Sequence, residues 1–357
     1  MKFHSCWQNA WRSLLPAVVL VALLVQTAQG QVVRSFDERA SFSERGDIYL
    51  IGNTLLTCEP GGTPDCSQVQ SGEVSGNNNR QMQYVNIDGG AGFDNSSSAD
   101  LILPPDTEVL FAGLYWGARA EPTDADRETI QLREPGATSY QTITSVQTDT
   151  ITAQGTAATR PYQGFADVTS IVQAAGTGTY YVGDLTASLG NDGLGFYGGW
   201  SLVVVVEDPA EPFRRLSVYD GAANIAGSTT ETVNISGLLT PSSGSFTTRL
   251  GALVWEGDEG IENDRFRLEG VDLSDPLNPV NNFWNSSITR LGTRISDKNP
   301  DFVNQLAVDI NYIDASGILA NGATEADVEF VTDGDAYFPH ALAFAVDLHV
   351  PDLVTSL

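Results

Sequence analysis

Ser201-Leu-Val-Val-Val-Val-Glu207 is the stretch that most narrows what this chain can become. Seven residues are too few for a buried helix, and four successive valines favour extended backbone. Gly198-Gly199 before the run and Asp208-Pro209 after it complete the pattern of a strand. No polar residue alternates with the valines, so neither face of this strand can be left to water. The rest of the chain must therefore supply a cover for each side.

Candidate covers are plentiful, and nearly all are strands. Val109 to Trp116 is a second run lined on both faces, and Leu250 to Trp255 a third. Gln305 to Tyr312 and Asp327 to Thr332 alternate with period two, as do Leu342, Phe344, Val346, Leu348 and Val350. The first strand is expected at Asp47 to Ile51. One helix is predicted, Asp167 to Gly176, with Asp167 to cap its start and Gly176 its end. The unit Val109 to Leu132 is echoed by Leu250 to Leu268: an apolar strand ending in Trp, an acidic turn, then an alternating strand. The expected fold is all-β: two antiparallel, jelly-roll-like β-sandwich domains with one short helix. About 327 residues after position 30 exceed one ordinary core, so the halves are set at 31–223 and 224–357, parting at the polar tract Asn224 to Asn234.

The compartment is legible at the N-terminus. Lys2 and Arg12 precede the twelve-residue apolar run Leu14 to Val25, and small residues at Ala28 and Gly30 predict signal cleavage before Gln31. No later segment is long and apolar enough to be a transmembrane helix. Residues 1–30 carry Lys2 and Arg12 and no acid, so their removal takes the formal charge from −27 to −29. Such a charge repels phosphate backbones, excludes nucleic acid as a partner, and attracts divalent cations. Cys58 and Cys66 enclose a Pro/Gly loop and are expected to form a disulfide in an oxidising compartment; zinc would need more ligands than this pair offers.

Catalytic motifs are sparse. Gly193-Leu-Gly195-Phe-Tyr-Gly198 matches a dinucleotide fingerprint in letters, but a strand follows it where a helix is required. His340 and His349 lie in no known hydrolase pattern, and both are read as solvent-exposed or capping. A polysaccharide hydrolase working through a carboxylate pair stays open, since the spacing of acids in space is not written in the sequence.

Acidic turns are the better candidates. Glu256-Gly-Asp258-Glu259-Gly-Ile-Glu262-Asn263-Asp264 gathers hard oxygen ligands, with glycines for the bend, as calcium requires; Asp258, Glu259, Glu262 and Asp264 are its proposed donors. Asp88 and Asp94, with Asn95, make a second candidate, and Asp333 with Asp335 a third. Solvated acidic turns are the plain alternative for all three. Among tryptophans, Trp116, Trp200 and Trp255 are placed in the core, while Trp284, in Asn-Asn-Phe-Trp-Asn, is expected to present an exposed ring to a sugar. Asn95, Asn234 and Asn285 open Asn-x-Ser triplets, which are glycan acceptors in a eukaryotic secretory pathway and turn caps in a bacterial chain.

Several stretches resemble the N-terminal module of large bacterial surface proteins that continue into tandem β-sandwich repeats. They include Gly46-Asp-Ile-Tyr-Leu-Ile-Gly-Asn-Thr-Leu, Leu110-Phe-Ala-Gly-Leu-Tyr-Trp-Gly-Ala, Gly199-Trp-Ser-Leu-Val-Val-Val, Leu216-Ser-Val-Tyr-Asp-Gly and Gly334-Asp-Ala-Tyr-Phe-Pro. The resemblance implies a secreted or cell-surface role in adhesion or matrix and brings no catalytic residues. The loop after Asn86 has fewer carboxylates than the family leads one to expect, and no repeats follow Pro351 in this sequence. The functional expectation is a non-enzymatic module that binds a glycan or a surface protein, with calcium stiffening its loops. The alternatives are the hydrolase and a purely structural capping domain.

Overall fold

Val203, Val204, Val205 and Val206 are all fully buried, because both faces of their sheet are covered. The computed structural model describes residues 31–349 except Gly90, together with Met1 and the backbone of Ala28 and Gln29; the expected signal segment lies almost wholly outside the described residues. The central strand Gly198–Glu207 pairs antiparallel with Glu108–Ala120 on one side and with residues 46–54 on the other. Leu202, Val204 and Val206 face a core shared with Ala99, Leu101, Ile130, Leu132, Tyr180 and Val182. Those residues belong to an outer five-stranded sheet ordered Lys298–Asn299, Ser96–Leu101, Gly178–Gly183, Thr129–Arg133 and Gln141–Thr144. Val203 and Val205 face the opposite way, onto Leu216, Val218, Leu253, Trp255, Ile310 and Ala343 of the chain's second half.

Both inner sheets are parts of one eleven-stranded sheet that doubles back on itself. The fold line runs through the strand Gln31–Thr54. Its residues 31–45 pair with Phe213–Ala226, and its residues 46–54 pair with Gly198–Glu207. Gly46 stands at the change of partner, where any Cβ would run into the Val206 carbonyl oxygen. A second outer sheet, built mainly from Thr229–Ser236, Glu325–Thr332 and Asp264–Leu268, closes the far side over Val254, Phe344, Phe266 and Phe330. The chain is thus an all-β stack of four sheet layers with three apolar cores between them. Among the described strands, ladder pairing is antiparallel except where Ile288–Arg290 lies parallel to Val308–Asp314, and where Ala28–Gln29 lies parallel to Thr229–Ser236; the isolated bridges Asn86–Ser96 and Asp264–Asn282 are parallel too.

The echo between the two halves has a structural counterpart. Glu108–Ala120 leads into the outer strand Thr129–Arg133, and Thr248–Trp255 leads into the outer strand Asp264–Leu268, each through an acidic turn. The point between residues 223 and 224 falls inside the strand Phe213–Ala226.

Two buried aspartates tie the layers together. Asp47 accepts from the Tyr312 hydroxyl at 2.6 Å and from Arg249 and Arg290 at 2.5 and 2.6 Å. Asp220 accepts from Arg34 at 2.8 Å and from both Arg39 nitrogens at 2.6 and 2.8 Å. Fixing a charge at such depth requires partners of this quality.

Differences from the sequence reading are local. The strand beginning at Gln31 precedes the expected start at Asp47: its first half is mixed in polarity and mostly exposed, so no apolar alternation marks it. The expected helix is Thr169–Ala175, and Val168, not Asp167, occupies its N-cap position. Asp167 still accepts from the Thr169 amide at 2.8 Å, and Gly176 ends the helix at a φ of 65°. A second helix, Cys66–Gln70, was not expected; Asp65 and Gln68 form its capping box, the one local signal that marks it. Cys58 and Cys66 are joined by a disulfide, with Cα atoms 5.7 Å apart. Asn95 is buried, and both ends of its amide bond to Leu185, in keeping with a turn-fixing role. Among the described residues no helix is long and apolar enough to cross a membrane.

Candidate metal centre

The strand ends of the second sandwich bring five carboxylates into one buried place. Glu256 follows the last residue of Thr248–Trp255, Asp258 lies in the turn after it, and Asp264 opens Asp264–Leu268. Asp309 is the second residue of Val308–Asp314, and Asp335 precedes Ala336–Asp347. Each is at most 3% exposed. Oxygens of Glu256, Asp258 and Asp335 all lie within 4.8 Å of one another. Gly257 is required between the first two, because a Cβ there would collide with Asp309 Oδ2 and crowd the Trp284 carbonyl.

Backbone amides satisfy part of this set and no more. Asp264 Oδ1 accepts from the Trp284 amide at 2.9 Å, Asp309 Oδ1 from the Ser287 amide at 3.0 Å, and Asp335 Oδ1 from the Ala336 amide at 2.7 Å. Asp258 Oδ2 accepts from Asn78 Nδ2 at 2.6 Å. One oxygen of every carboxylate is nonetheless buried without a partner among the described residues: Glu256 Oε1, Asp258 Oδ1, Asp264 Oδ2, Asp309 Oδ2 and Asp335 Oδ2. Asn77 Oδ1 and Asn78 Oδ1 are buried without partners in the same region, and neither belongs to an acid. Nearby arginines are engaged elsewhere, Arg119 with Asp192 at 2.6 Å and Arg265 with Asp333.

Burial is the largest cause that pushes all five acids up, and neighbouring carboxylates add to it for Glu256, Asp264, Asp309 and Asp335. Asp258 and Asp264 are raised to about 7 and Asp335 to about 9; Glu256 and Asp309 go well above the usual carboxylate range. Hydrogen bonds from Asn77 and Asn78 pull Asp258 part of the way back, while Asp258 and Asp335 push Glu256 further up. An isolated carboxylate in such a place costs several kcal/mol. Protons or a cation must make up the difference. The donors are oxygens throughout, with no sulfur or imidazole, and they outnumber what magnesium takes from protein. Such an all-oxygen set suits a hard divalent cation.

The expected loops divide unevenly. Asp258 and Asp264 of the first loop and Asp335 of the third meet at this centre, two stretches that the sequence kept apart. Glu259 points elsewhere and accepts from Asn304 at 2.9 Å, and the exposed Glu262 accepts from Asn281 at 3.0 Å. Asp333 is exposed and pairs with Arg265. In the second loop Asp88 is held by Arg133 at 2.9 Å, Asp94 is exposed, and the pair builds no buried oxygen cage. Asp309 was missed for a definite reason. The alternation of Leu306, Val308 and Ile310 puts it on the opposite phase, which reads as outward, yet this sheet has no outward face.

Two aromatic expectations are corrected. Trp284 is fully buried against Phe266, Phe283, Phe330 and Tyr337, so it presents no ring to a sugar. The polar Asn-rich flanks that suggested exposure are themselves tied down, Asn282 to the Glu259 carbonyl and Asn285 to the Leu277 carbonyl. His340 is buried too: Trp255 Nε1 donates to its Nδ1 at 3.2 Å, and burial pushes its pKa down to about 3, so it stays neutral. His349 is exposed, as read.

No protein-family model matches the chain, and no curated protein matches it. Solved structures overlap with it only loosely. N-glycanase F (PNGase F) aligns at 11% identity and a TM-score of 0.23 over 91% of this chain and 97% of its own. A protein crystallised with neoagarooctaose aligns at 10% identity and a TM-score of 0.23, and this chain spans 34% of its length. The major capsid protein P2 of bacteriophage PM2 aligns at 11% identity and a TM-score of 0.19, over 72% of this chain and 99% of that one. Overlaps of this depth identify no family and assign no activity.

Proposed function

We propose that this protein is a secreted, non-catalytic module of the cell surface whose second sandwich is locked by a buried calcium ion, and that it serves adhesion or matrix by contact with a glycan or a neighbouring protein. One observation carries the cation: five buried carboxylates each keep an oxygen that no protein donor reaches. Glu256, Asp258 and Asp335 would hold the ion, with Asp309 and Asp264 behind them. When bound, it supplies the positive charge that lets these acids stay ionised without water. The disulfide and the N-terminal Lys/Arg-apolar-small pattern support export. The depth of the acids supports a structural role over hydrolysis, since a carboxylate pair that cleaves polysaccharide must meet its substrate.

The test is a thermal melt of the full chain in calcium and in chelator. A ligand that binds only the folded state raises stability by about 2.7 kcal/mol at a hundred times its Kd. An unchanged melting temperature, with no calorimetric heat on adding calcium, refutes the cation.

A further inference from the structure

We infer that the cation centre is also a latch: when filled, it clasps the segment 71–81, an excursion of the first half that begins at the disulfide-stapled loop, onto the second sandwich. The inference rests on the calcium reading above and adds to it what the ion controls.

Four of the five carboxylates are held together by the strands of one sandwich. Glu256, Asp264, Asp309 and Asp335 are all fixed at the ends or in the body of strands of one sandwich. The remaining wall is different in kind. Asn77 and Asn78 lie outside regular structure, between the helix Cys66–Gln70 and the strand Met82–Tyr84. Asn78 Nδ2 donates to Asp258 Oδ2, and Asn77 Nδ2 donates to Ser286 Oγ at 2.7 Å, so both amides are fastened to the second sandwich. Their oxygens, Asn77 Oδ1 and Asn78 Oδ1, have no partner, and Asn77 is only 7% exposed. An amide oxygen beside a carboxylate cage is a calcium donor by type. Without the ion these two amide oxygens have no partner, and the wall free to move away is the loop that carries them.

Arg80 makes this movement measurable. Its Nε donates to the Gly76 carbonyl at 3.1 Å and its Nη2 to the Pro64 carbonyl at 2.8 Å, so in the clasped form its guanidinium ties the segment to the disulfide-stapled loop. Release of 71–81 frees the side chain and extends the backbone that trypsin needs at Arg80–Gln81.

Limited trypsin digestion of the full chain, with fragments mapped by mass, reads the latch directly. Saturating calcium is expected to slow cleavage after Arg80 about tenfold or more relative to chelator, because cleavage follows the open population and the clasped form holds the ion with two further donors. The double substitution Asn77→Ala and Asn78→Ala leaves the carboxylates in place. It is expected to weaken calcium binding by calorimetry without abolishing it and to keep an unchanged circular dichroism spectrum, yet at saturating calcium to be cut at close to the chelated rate. Calcium heat with no change in cleavage at Arg80 overturns the latch and leaves the calcium reading standing. Equal protection at every cleavage site also overturns it, since that is global stabilisation. Absence of calcium heat removes both.

Discussion

Asp258 shows most plainly what one side chain is asked to bear at the centre, with one oxygen on Asn78 and the other buried without a partner among the described residues. Asp258→Asn is expected to abolish most of the calcium-dependent rise in melting temperature while leaving the chelated protein equally or more stable, by up to a few kcal/mol at pH 8. Paired melts of the two proteins check this, and a variant that still responds fully to calcium removes Asp258 from the donor set. The pH dependence follows from the same burial. Asp258, Asp264 and Asp335 have folded pKa values above their unfolded ones, so without calcium the folded state binds more protons than the unfolded state. Stability is then greatest below about pH 4 on this account, and falls as pH rises through about 7 and again through about 9. Chelated protein should melt lower at pH 8 than at pH 5, and calcium should flatten or reverse that slope. A chelated protein whose stability rises over this range refutes the raised pKa values. At this scale the sequence was half legible. Asp258, Asp264 and Asp335 could be named because glycines and acids cluster around them, whereas Asp309 sits among apolar residues, and Trp284 was misplaced because its flanking asparagines look solvated.

Among the elements, the stapled excursion and the two helices mark where local signals succeed and fail. The Cys58–Cys66 bond closes a short loop over the capped helix Cys66–Gln70, with Val69 buried beneath it. Replacing both cysteines by serine is expected to cost about 2–3 kcal/mol by urea denaturation. It should also raise trypsin cleavage after Arg80 in the presence of calcium. Unaltered protection would mean that the staple does nothing for the excursion. Strands such as Gly198–Glu207 and Ala336–Asp347 were readable because uninterrupted or alternating apolar residues state their burial directly. The first half of Gln31–Thr54 was not, because its pairing partners lie far along the chain and its side chains are mixed in polarity. A helix of five residues has too little periodicity to be seen, and only its capping box betrays it.

At the level of the whole molecule, the four stacked sheets explain both the valine run and the need for buried ion pairs between layers. Asp47 joins the folded-over halves through Tyr312, Arg249 and Arg290. Asp47→Ala strands these groups and is expected to destabilise by about 3–5 kcal/mol in urea, more than a surface pair would cost. A loss below 1 kcal/mol would show that the network is ornamental to the stack. The all-β class was legible from turn chemistry and period, but the doubling of one sheet into two inner layers was not, since nothing local marks Gly46 as the place where a strand changes partners. That exchange has a consequence for how the chain matures. Ile51 meets Ser201 from 150 positions away, and residues 31–45 wait longer still, for Phe213–Ala226. The segment made earliest is therefore among the last to find its neighbours, so folding should be slow. The charges at Arg34, Asp37, Glu38, Arg39, Glu44 and Arg45 then act as a guard on a naked ribbon, keeping it from joining another copy until synthesis has delivered both of its mates.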